Sequence, residues 1–292
     1  MLYKTVEAII APSEPHFVGD GFRVHNFIPS FPSLSMKRMS PFILLDYNSK
    51  YQFSAREIPR GVGVHPHRGF ETVTIAYKGK VEHHDSSGGG GIIEEGDVQW
   101  MTAAAGILHK EFHEKEWSKN GGEFQMVQLW INLPAKDKMS SPKYQALSNN
   151  RIQRFILNKQ QGELEIIAGN YQGIQGAAST FTPIHLYNAK LNQDSEVEFL
   201  FPKEYNTALL VIEGDITVNE SSNAPFNHFV LLKNDGEKIK IKANEKSIVL
   251  ILSGEPIDEP IAAHGPFVMN NPEELVQAFE DYNTGKFGVL AE

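Results

Sequence analysis

The chain has 292 residues, with 27 Lys plus Arg against 36 Asp plus Glu and a formal net charge of −9. That balance opposes direct nucleic-acid binding, which calls for a basic face. Its 41% hydrophobic and 22% charged residues are those of an ordinary globular protein, with length for about two domains. Cysteine is absent, which excludes disulfides, thiolate zinc sites, iron–sulfur clusters and a cysteine nucleophile; any redox chemistry must come from a bound metal or cofactor.

The N-terminus, Met1-Leu2-Tyr3-Lys4-Thr5-Val6-Glu7, has neither a basic region nor an apolar core, so no secretory signal is read there. No stretch approaches the ~20 apolar residues of a membrane helix, and a cytoplasmic location without membrane contact is expected. Residues 1–24, broken by Pro12 and Pro15, predict an entering strand and loops. Residues 42–46, Phe-Ile-Leu-Leu-Asp, predict a short buried strand, and residues 56–63 a loop. His65-Pro66-His67 follows, then strands over 71–77 and 81–84 joined at Gly79. The run 86–91 predicts a flexible hairpin loop; it lacks the lysine-serine pair and the helix of a phosphate-binding loop, so a nucleotide site is rejected. Gly96-Asp97 is a turn signal that lets the chain reverse towards His109-Lys110-Glu111. Residues 124–133 predict the strand that closes the first strand-rich block.

Side chains on a strand repeat with period two, so His65 with His67, and His109 with Glu111, each point to one face. Two such strands can converge on one point, and neutral imidazoles with a carboxylate suit a first-row metal ion. Strand histidines are also often simple polar packing groups, so the pairing of the two dyads, rather than either alone, carries the reading.

After a polar connector at 134–150, a second strand-rich block echoes the first. Residues 209–216 match 74–81 around Gly214 and Gly79, and 247–252 echo the strand before Pro134. Duplication of one small barrel is the economical account. The same offset carries His65 and His67 onto Leu200 and Pro202, so the second barrel is expected to lack ligands and to serve packing. Asn271-Pro272-Glu273-Glu274 predicts the start of a capped helix, with Leu275, Phe279 and Tyr282 as a core-facing stripe.

The blocks His65-Pro66-His67-Arg68-Gly69-Phe70-Glu71-Thr72-Val73-Thr74, Gly96-Asp97-Val98-Gln99-Trp100-Met101-Thr102-Ala103 and Gly106-Ile107-Leu108-His109-Lys110-Glu111 resemble the signature of the pirin family within the cupin superfamily. His264-Gly265-Pro266-Phe267-Val268-Met269-Asn270 resembles pirins as well. Ala104 and Ala105 depart from the usual Gly-Arg and are expected to alter the pocket mouth. The resemblance implies an all-β bicupin, two tandem cupin-type β-barrels with a short C-terminal helix. Its domains are expected at 1–134 (metal-binding), 135–144 (connector) and 145–292 (without ligands). It implies one divalent ion on His65, His67, His109 and Glu111. Glu71 is the alternative fourth ligand, otherwise a second-layer or structural acid.

His113 continues the period-two series and is expected at a surface or pocket rim. His83 and His84 are adjacent, so only one can face inward, and solvent exposure is expected. His16, His25, His185, His228 and His264 have no partner spacing. No Gly-x-Ser-x-Gly elbow supports a hydrolase.

Three imidazoles and a carboxylate leave an octahedral ion two open positions, which suits Fe(II); Zn, Ni, Cu, Co and Mn accept the same donors. The resemblance implies a quercetin 2,3-dioxygenase-like enzyme that opens flavonol-like aromatics with O2, Glu111 serving as ligand and base, with Phe70 or Trp100 lining an apolar pocket. Its alternative is a metal-dependent redox sensor that binds a protein partner such as a transcriptional regulator.

Overall fold

Short runs of alternating apolar and polar residues, closed by glycine turns, fold about half of this chain into strands, which pair antiparallel in its sheets. The computed structural model describes residues 1–158 and 160–291. These divide into two compact units. Among the described residues no helix is long and apolar enough to cross a membrane.

One unit takes Glu14–Lys37, Pro41–Asn149 and the chain from Ile257 onward. Its larger sheet has seven strands in the order Lys143–Leu147, Val98–Thr102, Phe70–Lys78, Gly122–Asn132, Phe42–Phe53, Phe22–Ile28, His16–Val18. Its smaller sheet has four, in the order Gly61–His67, Ile107–His113, Val81–Asp85, Gly90–Ile93. The strand expected over 124–133 pairs with Phe42–Phe53 on one side and Phe70–Lys78 on the other, so it is the middle of the large sheet. The strand expected at 42–46 runs for 12 residues, and part of the expected connector is the strand Lys143–Leu147, paired with Val98–Thr102. The loop at 86–91 is a tight hairpin held by Asp85, whose Oδ1 accepts from the backbone N–H groups of Ser87 and Gly89 and from the Ser87 hydroxyl.

The other unit takes Met1–Ser13, Arg38–Ser40 and Asn150–Pro256. It repeats the scheme. Seven strands run in the order Val6–Ile10, Phe229–Leu232, Asn206–Glu213, Ser247–Gly254, Ile184–Leu191, Gly162–Ala168, Gln153–Ile156, with four more in the order Glu196–Leu200, Lys238–Ala243, Asp215–Val218, Ser222–Pro225. The matched glycines do the same work in both units: Gly79 and Gly214 turn adjacent strands at φ 85° and 81°. At Gly79 a Cβ would also lie 2.5 Å from a ring carbon of Phe124. The interior of this unit is apolar, with Val197, Phe199 and Phe201 turned inward and Leu200 exposed. No group of metal-ligating side chains occurs there among the described residues.

The expected division at 134 and 145 differs from these units in a specific way. Val6–Ile10 pairs with Phe229–Leu232, taking the sheet position that Lys143–Leu147 holds in the first-described unit. The C-terminal segment, in turn, belongs with Gly61–His67 and its neighbours. Both terminal pieces find their hydrogen-bonding partners far away in sequence, and local periodicity does not report that.

The helix Pro272–Asn283 starts as its sequence predicts, with the Asn271 side chain accepting from Glu274 N–H. Its buried face differs from the expected stripe. Ala278 and Asp281 are buried, whereas Phe279 and Tyr282 are 36% and 40% exposed. Asp281 pairs with Arg68 at 2.8 Å, the two side chains 9% and 4% exposed, and Lys286 and Gln277 bond its other oxygen. Arg68 also donates to the Ala105 carbonyl and lies over the Phe287 ring. These contacts tie the C-terminal helix to the residue that follows His67.

Removing one partner of a buried ion pair strands the other, at a cost of about 3–5 kcal/mol. Asp281→Ala is therefore expected to lower the urea-unfolding free energy by about that amount, while Glu280→Ala on the exposed face changes it by less than about 0.5 kcal/mol. Hydrogen bonds from Lys286 and then Arg68 hold the Asp281 carboxyl down at about 2. Its stabilisation is thus present above the ordinary carboxylate range and is lost as pH falls towards about 2. Equal stabilities of the two variants at neutral pH would show that the pair carries none of the fold.

Candidate metal centre

The smaller sheet of the Gly61–His67 unit sets the geometry. Gly61–His67 and Ile107–His113 run antiparallel with His109 opposite His65 and Ile107 opposite His67, and a register shift then brings Glu111 opposite Val62. On the far side of Ile107–His113, Glu111 faces His83 and His109 faces Asp85. Cross-strand partners share a face, so three adjacent strands present His65, His67, His109, Glu111, His83 and Asp85 inward.

His65, His67 and His109 each offer a ligand atom within 4.8 Å of the others. The ring centroids of His65 and His67 lie 4.2 and 4.7 Å from that of His109. A second group within the same limit joins His109 and Glu111 to His83. Three of the residues singled out from spacing, His65, His67 and His109, are therefore brought together, and Glu111 is joined to them through His109, with His83 as an unanticipated neighbour.

Burial and the neighbouring His65 push the His67 imidazole well below its usual pKa, and burial together with His67, His65 and His83 does the same to His109. Both rings are thereby held neutral, the form that binds metal. One ring nitrogen of each, Nδ1 of His67 and Nε2 of His109, is buried without a hydrogen-bond partner among the described residues. His65 Nδ1 lies 2.9 Å from the Gly63 carbonyl, so an Nδ1–H donated there leaves Nε2 its lone pair. Such a donor set fits a divalent first-row ion.

Behind the candidate ligands stands a layer that the spacing did not disclose. His83 is fully buried. Its Nδ1 lies 3.4 Å from His109 Nδ1, 2.9 Å from Gln99 Nε2 and 3.9 Å from Glu111 Oε1, and its Nε2 is 3.5 Å from Asp85 Oδ2. The expectation of an exposed His83 fails because Val81, His83 and Asp85 share the inward face while Glu82 and His84 turn outward. The apolar Val81, two residues before His83, was the available signal.

Other candidates fall away for visible reasons. Glu71 sits on the face of Phe70–Lys78 opposite Thr74, whose hydroxyl reaches Gln128 and Glu111. Glu71 instead accepts from Thr102 Oγ1 at 2.7 Å, and burial pushes its carboxyl up to about 7. His113 lies at neither surface nor rim. It is buried among Phe22, Phe53, Trp117 and Phe124, its Nε2 on the Gly21 carbonyl, and burial pushes it down to about 4.

A cavity of about 360 Å³ opens onto His65, His67 and Glu111. Its apolar wall comprises Val18, Phe22, Val24, Val62, Met126 and Trp130, with Asp46, Asn48 and Gln128 as its polar members and Gly265 and Pro266 at one edge. The aromatic lining is thus Phe22 and Trp130; Phe70 stacks on Trp130 at 4.2 Å without lining the cavity, and neither does Trp100. Ala104 and Ala105 do not line it either. Ala104 holds φ 40°, a left-handed conformation that glycine adopts without strain.

Comparison with known proteins covers nearly all of the chain. The Pirin family model matches residues 21–131, and the model of the pirin C-terminal cupin domain matches residues 186–288. A Pseudomonas aeruginosa protein, provisionally named a quercetin 2,3-dioxygenase, is 45% identical over 97% of this chain and 98% of its own. Pirin-1 of Arabidopsis thaliana is 39% identical over 92% of this chain and 90% of its own. The crystal structure of a quercetin 2,3-dioxygenase from Acinetobacter baumannii superposes with a TM-score of 0.93 at 44% identity, covering 99% of this chain and 100% of that one. A bacterial pirin from Escherichia coli in complex with nickel(II), 22% identical with a TM-score of 0.65 over 86% of this chain and 100% of its own, shares the fold.

Substituting His65, His67 or His109 by Ala is expected to lower metal content by an order of magnitude or more. His83→Ala is expected to weaken metal affinity about 10–100-fold, the usual effect of losing a group behind a ligand, and Glu71→Gln to leave it unchanged. Competition titration with a chromogenic chelator measures all five. Wild-type affinity in His65→Ala, or a loss in Glu71→Gln equal to that in His109→Ala, would contradict the assignment.

Proposed function

The chain belongs to the pirin family, and from that premise we propose that it is a metal-dependent dioxygenase of flavonol-like aromatics. His65, His67, His109 and Glu111 hold one divalent ion, with Fe(II) the ion best suited to the donor set. The observation that carries this reading is the cavity of about 360 Å³, apolar over most of its wall and opening onto three of those side chains, a volume suited to a ligand of drug-like size. The names borne by relatives at 44% and 45% identity support the same substrate class.

A redox-active ion supplies activation of O2, which no side chain here can provide. The chain supplies the rest. Phe22, Val24, Val62, Met126 and Trp130 enclose a planar ring system and exclude water from it. Burial keeps His67 and His109 neutral, so they remain available as ligands rather than repelling a cation. Glu111, 7% exposed, stands at the cavity wall as the base for an aromatic hydroxyl.

The test begins with anaerobic addition of quercetin to protein loaded with Fe(II), which should shift the flavonol's long-wavelength absorption as its hydroxyl ionises. Admission of O2 should then release carbon monoxide. Glu111→Gln, compared at equal metal content, should lose turnover by about 100-fold or more. Fully loaded protein that neither shifts the spectrum nor releases carbon monoxide would remove the enzymatic reading. Partner binding that depended on the metal's oxidation state, without turnover, would favour the sensor.

A further inference from the structure

Asn48 lies on the strand Phe42–Phe53 directly across from Met126, and Asp46, two residues earlier, lies across from Gln128. Strand parity puts these four on one face, and all four line the cavity. Among them Asn48 is singular. It is only 2% exposed, and neither its Nδ2 nor its Oδ1 has a hydrogen-bond partner among the described residues. Its polar neighbours are engaged: Gln128 Oε1 accepts from Thr74 at 2.8 Å, and Asp46 Oδ1 accepts from Asn26 at 2.6 Å.

A buried carboxamide with both ends uncommitted is unfavourable, because its donor and acceptor have left water without compensation. Folding does not require it. Val24 and Met126 continue the wall beside it with apolar side chains, and a leucine of nearly the same size would extend that wall. A bound ligand is the partner such a group is built for. A carboxamide presents one donor and one acceptor side by side in a plane, and so pairs bidentately with an edge carrying an acceptor next to a donor. On an aromatic ring, two vicinal hydroxyls form such an edge.

We propose that Asn48 is a specificity-determining residue of the cavity, its Nδ2 donating to one hydroxyl and its Oδ1 accepting from the other hydroxyl of a vicinal dihydroxyphenyl group on the substrate. This inference rests on the flavonol reading above and adds to it which flavonols the pocket prefers. A site built to hydrogen-bond a hydroxyl discriminates against the analogue lacking it, because its own polar groups are then left unpaired.

The test compares quercetin with galangin, the flavonol that lacks only the two vicinal hydroxyls, by anaerobic fluorescence titration of the metal-loaded protein. Wild-type protein is expected to bind quercetin at least about tenfold more tightly than galangin, the ratio conferred by about 1.4 kcal/mol. In Asn48→Leu the ratio should fall to within about threefold, through weaker binding of quercetin with galangin unchanged or tighter. A merely structural role would weaken both flavonols alike. A wild-type ratio near one overturns the inference without any variant, and so does a ratio that survives in Asn48→Leu; in both cases flavonol binding itself leaves the functional reading standing. Failure of the wild type to bind either flavonol overturns that reading, and the role of Asn48 with it.

Discussion

The antiparallel register between Gly61–His67 and Ile107–His113 is the constraint on which the candidate centre depends. With His109 opposite His65 and a shift before Glu111, the strands deliver four possible ligands to one face. A slip of one residue by either strand would turn that strand's pair outward and split the set. Val81–Asp85 locks the far side of Ile107–His113 in register across five residue pairs. The Arg68–Asp281 pair fixes the chain just after His67. The centre is therefore held by backbone pairing and one buried ion pair rather than by a mobile loop, as a geometrically demanding site requires.

Burial serves two purposes in this unit. It keeps the His67 and His109 imidazoles neutral, and it sets His65, His67 and Glu111 against an apolar wall. The same burial is costly for any polar group without a partner, which makes Asn48 stand out. The second-described unit has the same sheet order but fills its interior with Tyr171, Tyr187, Phe199 and Phe201, a dense aromatic core in place of ligands. Duplication of one scaffold thus accompanies two different interiors, one carrying clustered imidazoles and one apolar.

Much of this was legible in the sequence, for a physical reason. Period-two spacing is a local property, so His65 with His67 and His109 with Glu111 could be paired before any fold was known. The matched glycines at 79 and 214, both with positive φ, marked the duplication because only a turn glycine is so constrained. What escaped depends on which strand lies beside which. His83 faces inward because it is the cross-strand partner of Glu111, and sequence does not state that pairing. Val6–Ile10 joins a partner more than 200 residues away. Lys143–Leu147, an edge strand of partly exposed residues, carries too little apolar pattern to be distinguished from a linker. Asn48 could not be found at all, since one polar residue in a strand reads as solvent-facing until its neighbours are known.

Anomalous diffraction from crystals of the protein loaded with a divalent first-row metal addresses the central claim most directly. One strong peak per chain is expected, bonded by ring nitrogens of His65, His67 and His109 and by the Glu111 carboxylate, with His83 behind His109 and outside bonding distance. A peak bonded to His83 in place of His65 and His67, a second peak of equal height in the other unit, or no peak near His109 would contradict the account.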